Sequence, residues 1–214
     1  IKLWNASRFS FIHLEKYKPK KVNLELFDKW FLAKLNDLIN ECTKSLDKYE
    51  YHRLRLLVEK FFWITFADNY LEIIKDRLYN PDKRGKKARE SAQYALYVSL
   101  LTMLKLFAPI MPFITEEIYQ NHFLKHEKVK SIHISEWPKF DKKLADKKTM
   151  KAGDEAVGII SDVRKYKSKY NKSMKAKVVL TLDRHYKKEF KGLLEDLKAV
   201  TNAEIKFGKY GIEF

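Results

Sequence analysis

Few residues of this chain have the type and spacing for bond-making chemistry. His122 and His126 stand four apart, the spacing at which two imidazoles on one helix face share a metal. No third ligand of suitable type stands nearby, and a helix end is expected there, so no metal site is expected. Glu116 and Glu117 are adjacent carboxylates, but neighbours on a helix point in different directions. Charges near the positive end of a helix that begins at Pro112 account for them better than an acid–base couple does. The six glycines are scattered, with no Gly-rich loop to cradle a phosphate. Cys42 is the single cysteine, which rules out an internal disulfide framework and a Cys-rich zinc module. Its neighbours Leu38, Ile39 and Leu46 place it on an apolar helix face as a small core side chain, and a cytosolic origin fits. No catalytic constellation remains.

Two features point to nucleic acid instead. Arg164, Lys165, Lys167, Lys169, Lys172, Lys175 and Lys177 are seven basic residues with no acid between Val163 and Leu182, and Tyr166 and Tyr170 lie among them. Such a patch holds phosphates while a ring supports a base or sugar; equally, the tyrosines face the core and the lysines are merely solvated. At the chain start Lys2, Asn5, Arg8 and Phe9 recur at helical spacing. Asn and Arg read base edges and Phe stacks on an exposed base, although the spacing alone is also that of an ordinary amphipathic helix. A net charge of +16 favours polyanions through charge neutralisation and counterion release. It divides between residues 1–125, with 22 basic and 15 acidic side chains, and 126–214, with 22 and 13, so a binding face is expected to span both parts.

These residues need a scaffold, and 214 residues with 45% hydrophobic side chains are enough to build one around a real core. No stretch approaches the roughly 20 apolar residues of a membrane span. Residues 1–125 read as helix after helix. Apolar positions recur every three or four residues over Leu26–Leu46 and again over Leu54–Leu78, up to a break at Asn80-Pro81. Pro81–Arg89 reads as a solvated loop, then a helix runs from about Glu90 to Phe107 and another starts at Pro112. Long antiparallel helices with short connections make an α-bundle. Residues 126–148 form a linker in which Ser131–Ser135 alternates like a short strand. Residues 149–214 read as a small α/β unit: a helix over Met150–Lys169, a strand over Lys177–Leu182, a helix over Tyr186–Lys198, and two strands, Glu204–Phe207 and Gly211–Phe214, across a Gly-containing turn. The chain begins with Ile1 and reads as helix at once, which suggests a piece of a longer protein.

Several longer strings carry a resemblance. Lys2-Leu3-Trp4-Asn5-Ala6-Ser7-Arg8-Phe9 is similar to the segment that opens the anticodon-binding bundle of valyl-tRNA synthetases. Asp28-Lys29-Trp30-Phe31-Leu32-Ala33-Lys34-Leu35-Asn36 and Phe66-Ala67-Asp68-Asn69-Tyr70-Leu71-Glu72 with Lys75 resemble that family's second and third helices. Phe107-Ala108-Pro109-Ile110-Met111-Pro112-Phe113-Ile114-Thr115-Glu116-Glu117-Ile118-Tyr119 is the most specific string and marks the class Ia synthetases. Ser131–Ser135 followed by Glu136-Trp137-Pro138, and the helix through Ile160–Lys169, are also similar to what valyl enzymes carry. Ala108, Ala67 and Asn69 depart from the family's usual residues, the first two as packing changes and Asn69 as a change in a contact surface. The lack of a C-terminal Cys cluster separates the chain from many isoleucyl enzymes, and the lack of a heptad-patterned tail makes it look archaeal-type.

The resemblance implies a mainly α fold: an antiparallel helix bundle of the class Ia anticodon-binding type, followed by a small α/β subdomain. It implies recognition of a tRNA anticodon stem-loop by Lys2, Asn5, Arg8 and Phe9 of the first helix and Leu71 and Glu72 of the third. Asn5 and Glu72 suit the A-C at the end of valine anticodons, since a carboxylate accepts from cytosine's exocyclic amine. Arg164, Lys165, Lys167, Lys169, Lys172 and Lys175 are expected on the tRNA backbone. The parent enzyme would join valine to tRNA with ATP and Mg in a catalytic half, and edit in a further domain of the same chain. None of those centres is expected here, and the parent is expected to be cytoplasmic and monomeric. Alternatives are an isoleucyl or leucyl enzyme, or a helical scaffold that binds no RNA.

Overall fold

The computed structural model describes residues 2–214. Eleven α-helical segments and a three-stranded sheet make up the regular structure of these residues, and the long helices fall where the apolar periodicity predicts. The bundle comprises α1 (Lys2–Leu14), α2 (Leu26–Asp47), α3 (Tyr51–Lys60), α4 (Leu71–Tyr79), α5 (Pro81–Arg84), α6 (Lys86–Phe107), α7 (Pro112–His122) and α8 (Leu124–Glu127). Between α3 and α4 the helix continues without a break as a π-helix over Phe61–Tyr70. Its core is aromatic: Phe31 stacks on Tyr70 with ring centres 3.8 Å apart, and Phe66, Phe61 and Phe62 pack around them. Cys42 is fully buried among these helices, and burial pushes its thiol up to about 12.

The expected loop at 81–89 is shorter than predicted. Pro81 sits in the first turn of α5, Asn80 accepts from Lys83 and Arg84 through its carbonyl, and only Gly85, at φ +88°, separates α5 from α6. The expected strand at Ser131–Ser135 does not form. Ile132–Ile134 is a 3-10 turn, because side chains take up its backbone: Ser131 Oγ accepts from His133 N, and the Glu116 carboxylate accepts from Ile132 N and Ser131 Oγ at 3.0 and 2.9 Å.

The C-terminal unit opens with α9 (Lys147–Lys169), capped by Asp146, whose carboxylate accepts from Lys148 N and Thr149 N. Next come β1 (Val178–Leu182), α10 (Tyr186–Glu189), α11 (Leu194–Thr201), β2 (Ala203–Phe207) and β3 (Gly211–Glu213). The single helix expected over 186–198 is thus two, separated by a turn that buries Phe190 and Leu193. The last two strands do not form a hairpin with each other. β1 is central, paired parallel to β2 (Leu180 opposite Ile205) and antiparallel to β3 (Leu180 opposite Ile212). Val178, Leu180 and Leu182 point to the core on alternate positions of β1.

Candidate nucleic-acid interface

Buried polar joints hold the two units together. The Asp28 carboxylate, wholly inside, accepts from Arg77 Nη1 at 2.6 Å and Nη2 at 2.9 Å, from Tyr70 OH at 2.7 Å, and from Ser91 Oγ. Arg77 also lies 3.2 Å from Asp196 of α11, which accepts a 2.6 Å bond from Arg84. Burial pulls the Arg77 guanidinium down, but the Asp28 and Asp196 carboxylates outweigh it and raise its pKa, so it stays charged. Trp30 Nε1 donates to Asp154 of α9 at 2.9 Å, and Gly153 leaves room for its ring. Asn36 exchanges two hydrogen bonds with the backbone of Asp141, and Trp137 Nε1 donates to Thr43. Asp28, Trp30, Asn36, Tyr70 and Trp137, all in strings that carry the family resemblance, are thus joints of the scaffold.

Against this scaffold, two separate stretches of sequence meet at one cleft of about 320 Å³. Lys2, Asn5, Ala6 and Phe9 of α1 form one wall, and Trp63, Ala67, Asp68, Leu71, Glu72 and Lys75 form the other with Phe62. Five of the six residues expected to read the anticodon therefore line one cavity. Arg8 is exposed but does not line it. Lys2 Nζ lies 3.7 Å from the centre of the Trp63 ring, a cation on an aromatic face. Glu72 is half exposed, with Oε1 held by Lys75 Nζ at 2.5 Å. Leu71 is buried and gives the cleft an apolar floor rather than a free stacking surface.

Trp63, Asp68 and Lys75 were missed as lining residues. A 3.6-residue period already aligns Trp63, Ala67 and Leu71 at i, i+4 and i+8; the π-helix, with its wider i to i+5 turns, adds Asp68 to that wall. No sequence pattern announced that segment. Asn69, one of the departures from the family, donates to the Ile64 carbonyl five residues back and accepts from Arg164 Nη1 at 3.0 Å.

The basic run divides. Lys167 is a correction: it is 1% exposed, and its Nζ donates to the carbonyls of Met174 at 2.8 Å and Thr201 at 2.6 Å. It serves the C-terminal end of α11 and the turn after α9, where a cation meets unsatisfied carbonyls, and burial lowers its pKa. Arg164 is half-buried and latches α9 to the π-helix through Asp68 O and Asn69 Oδ1, both at 3.0 Å. Lys165, Lys169, Lys172 and Lys175 face solvent. Tyr166 and Tyr170 are not core residues; they form a surface cluster with Phe214, ring centres 4.8–5.8 Å apart. A second hollow, lined by Ala67, Asp68, Glu72, Arg164 and Met174, adjoins the cleft and connects it to this face.

The two histidines four apart have packing roles. His122 stacks on Phe11, and His126 lies against Tyr97. Among the described residues no group of three or more His, Cys, Asp or Glu could hold a metal, and no helix is long and apolar enough to cross a membrane.

A helical bundle that presents an aromatic, mixed-charge cleft beside a solvent-facing row of lysines has the make-up of an RNA-reading module. The family described as the anticodon-binding domain of tRNA ligase matches residues 28–182, and the chain belongs to that family. The match takes in the α4 wall of the cleft, while the α1 wall lies before it. Over a longer span the chain is similar to valine–tRNA ligases. It is 38% identical over 179 residues to that of Thermococcus kodakarensis, covering 83% of this chain and 20% of the relative. It is 41% identical over 218 residues to that of Rickettsia canadensis (strain McKiel), covering 96% and 26%, and 37% identical over 209 residues to that of Wolbachia pipientis wMel, covering 95% and 23%. The chain thus spans about a quarter of the length of these relatives, archaeal and bacterial alike.

Proposed function

We propose that the chain is the part of a valine–tRNA ligase that receives the anticodon stem-loop of valine tRNA. One observation carries the reading: Lys2, Asn5 and Phe9 converge with Leu71 and Glu72 on one cleft, although they are some sixty residues apart in sequence. A splayed base fits between Phe9 and the Trp63 wall, with Asn5 and the Glu72 carboxylate in reach of its edge. Arg8, exposed just outside, takes a phosphate or the edge of a neighbouring base. Lys165, Lys169, Lys172 and Lys175 neutralise backbone phosphates further along the RNA. The parent enzyme would join valine to tRNA in a cytoplasmic, monomeric protein, with ATP, Mg and editing handled by domains outside this chain. The similarity to valine–tRNA ligases over most of the chain supports the amino-acid assignment.

Competition among tRNA transcripts for the full-length protein tests this. The valine transcript should compete best, and Phe9→Ala should weaken its binding by about 1–3 kcal/mol, the worth of one stacked base. Better competition by an isoleucine or leucine transcript would overturn the valine assignment. Unchanged affinity of Phe9→Ala in a folded protein would remove the cleft from the interface.

A further inference from the structure

The hollow that adjoins the cleft has a volume of about 450 Å³ and lies where the bundle meets the C-terminal unit. It shares Ala67, Asp68 and Glu72 with the cleft, so these residues form a ridge with one cavity on each side. Its floor is apolar or already neutralised. Val163 is buried there, Met174 is 50% exposed, and the Lys167 ammonium is taken up by the Met174 and Thr201 carbonyls.

Two opposite charges remain at its edge. Asp68 is an exposed residue whose backbone carbonyl accepts from Arg164 Nη1 at 3.0 Å, but among the described residues its carboxylate has no hydrogen bond and no ion pair. Glu72, one turn on, differs in being held by Lys75. Arg164 spends one nitrogen, Nη1, on Asp68 O and Asn69 Oδ1, and among the described residues no carboxylate pairs with its guanidinium. The same two bonds fix the ridge to α9, so the Asp68 side chain stands on a braced backbone.

This combination selects what can enter. A phosphate would meet Asp68 and Glu72 and be repelled. A purely apolar group would leave both charges unmet. A nucleobase satisfies the whole set. Its faces lie against the Met174 thioether and the Arg164 guanidinium plane, its amino group donates to Asp68, and a ring nitrogen or carbonyl accepts from Arg164.

We propose that this hollow is a second base pocket, which takes the nucleotide next to the one in the cleft, and that Asp68 selects a base with an exocyclic amine there over uracil. Uracil offers one N–H flanked by two carbonyl oxygens, which a carboxylate repels. The proposal rests on the function proposed above and extends it from one base to two. Beyond Met174, on the same turn, Lys172 and Lys175 face solvent where the strand leaves the hollow.

Binding of tRNA transcripts to the full-length protein tests this, with each anticodon-loop base removed in turn while its sugar and phosphate stay. The wild type should lose affinity at two neighbouring positions. The loss at one of them should disappear in Met174→Ala, and the loss at the other in Phe9→Ala. Met174 and Asp68 are exposed, so neither substitution threatens the fold. Asp68→Ala should weaken binding roughly tenfold, the worth of a hydrogen bond to a charged group, and should have no such effect on a tRNA with uracil at the hollow position. The sign of the change decides the matter. A carboxylate that merely faces solvent repels RNA, so its removal would tighten binding of every tRNA. Tighter or unchanged binding by Asp68→Ala, or base dependence in Met174→Ala identical to the wild type, would overturn the second pocket; weakening by Phe9→Ala in the same series would leave the proposed function standing. A wild-type protein that binds no tRNA, or that is indifferent to every missing base, would overturn both.

Discussion

Replacing Asp28 by alanine should be among the most damaging single changes to this fold. The carboxylate is wholly buried and takes four hydrogen bonds, two from Arg77, one from Tyr70 and one from Ser91. Alanine leaves the Arg77 guanidinium inside with only Asp196 as a counter-charge, and leaves the Tyr70 hydroxyl without an acceptor. Removing one member of a buried ion pair costs about 3–5 kcal/mol. For a chain of this size each kcal/mol lowers Tm by about 2–4 °C, so a fall on the order of 10 °C is expected in calorimetry. The penalty comes from an orphaned charge rather than from the net worth of the pair, and that distinction can be measured. Arg77→Met alone leaves Asp196 still bonded to Arg84 at 2.6 Å. The double variant, with Asp28 and Arg77 replaced by alanine and methionine, should therefore cost several kcal/mol less than the sum of the single changes. Additivity to within about 0.5 kcal/mol would refute this account, because it would mean the two groups do not sense each other.

Three further outcomes follow from particular contacts. Gly153→Ala would bring a Cβ to 2.2 Å from the Trp30 ring, so α9 and α2 must part; a loss of about 1–3 kcal/mol is expected in denaturant unfolding, and an unchanged midpoint would contradict the packing. The Lys167 pKa is lowered by burial from the ordinary 10.5. Between the lowered value and 10.5 the unfolded chain binds more protons than the folded one, so stability should rise with pH across that window. Lys167→Met should flatten the rise, and a variant with the wild-type pH profile of Tm would disprove the assignment. Cys42, with its thiol pushed up to about 12 and no solvent access, should resist iodoacetamide at pH 8 until the protein is denatured; labelling of the native protein at the rate of a free thiol would show that the site opens.

The long helices were legible in the sequence because their apolar faces repeat every three or four residues, and packing at α2 and α6 agrees with that repeat. The failures arose where side chains, not periodicity, decide the backbone. Ser131–Ser135 alternates like a strand, yet Glu116 and Ser131 take its amides and curl it into a turn. Lys167 reads as one more lysine of a basic run, because nothing local reveals that two carbonyls await it seven and thirty-four residues ahead. At the interface, the stripe Lys2, Asn5, Phe9 could not be told from an ordinary amphipathic helix, since the other wall of the cleft lies some sixty residues on. Trp63 stands at i, i+4 and i+8 with Ala67 and Leu71 and is open to a 3.6-residue reading, whereas Asp68 reaches that wall through a π-helical stretch whose turns such a reading miscounts. The strings that identify the family are partly strings that hold the fold together, which is why Asp28, Trp30, Asn36 and Trp137 carried recognition without belonging to any site.

The placement of charge bears on how such a module would discriminate. The chain carries +16 overall, but the cleft is nearly balanced, with Lys2 and Lys75 against Asp68 and Glu72. A balanced cleft gains little from phosphate attraction, so what enters it must be selected by ring faces and by donors and acceptors on base edges. The wall that carries Leu71, Glu72 and Lys75 is also the best braced. Arg77, in the next turn of α4, ties it to α2 and α11, and Arg164 ties the adjoining π-helix to α9. Long-range attraction is left to Lys165, Lys169, Lys172 and Lys175, which face solvent outside the cleft. Under the proposed function, phosphate contacts that position and base contacts that specify would fall to different surfaces. It follows that changes to the peripheral lysines should alter affinity and salt dependence for all tRNAs alike, while changes at Asn5, Phe9 or Glu72 should alter the choice among them.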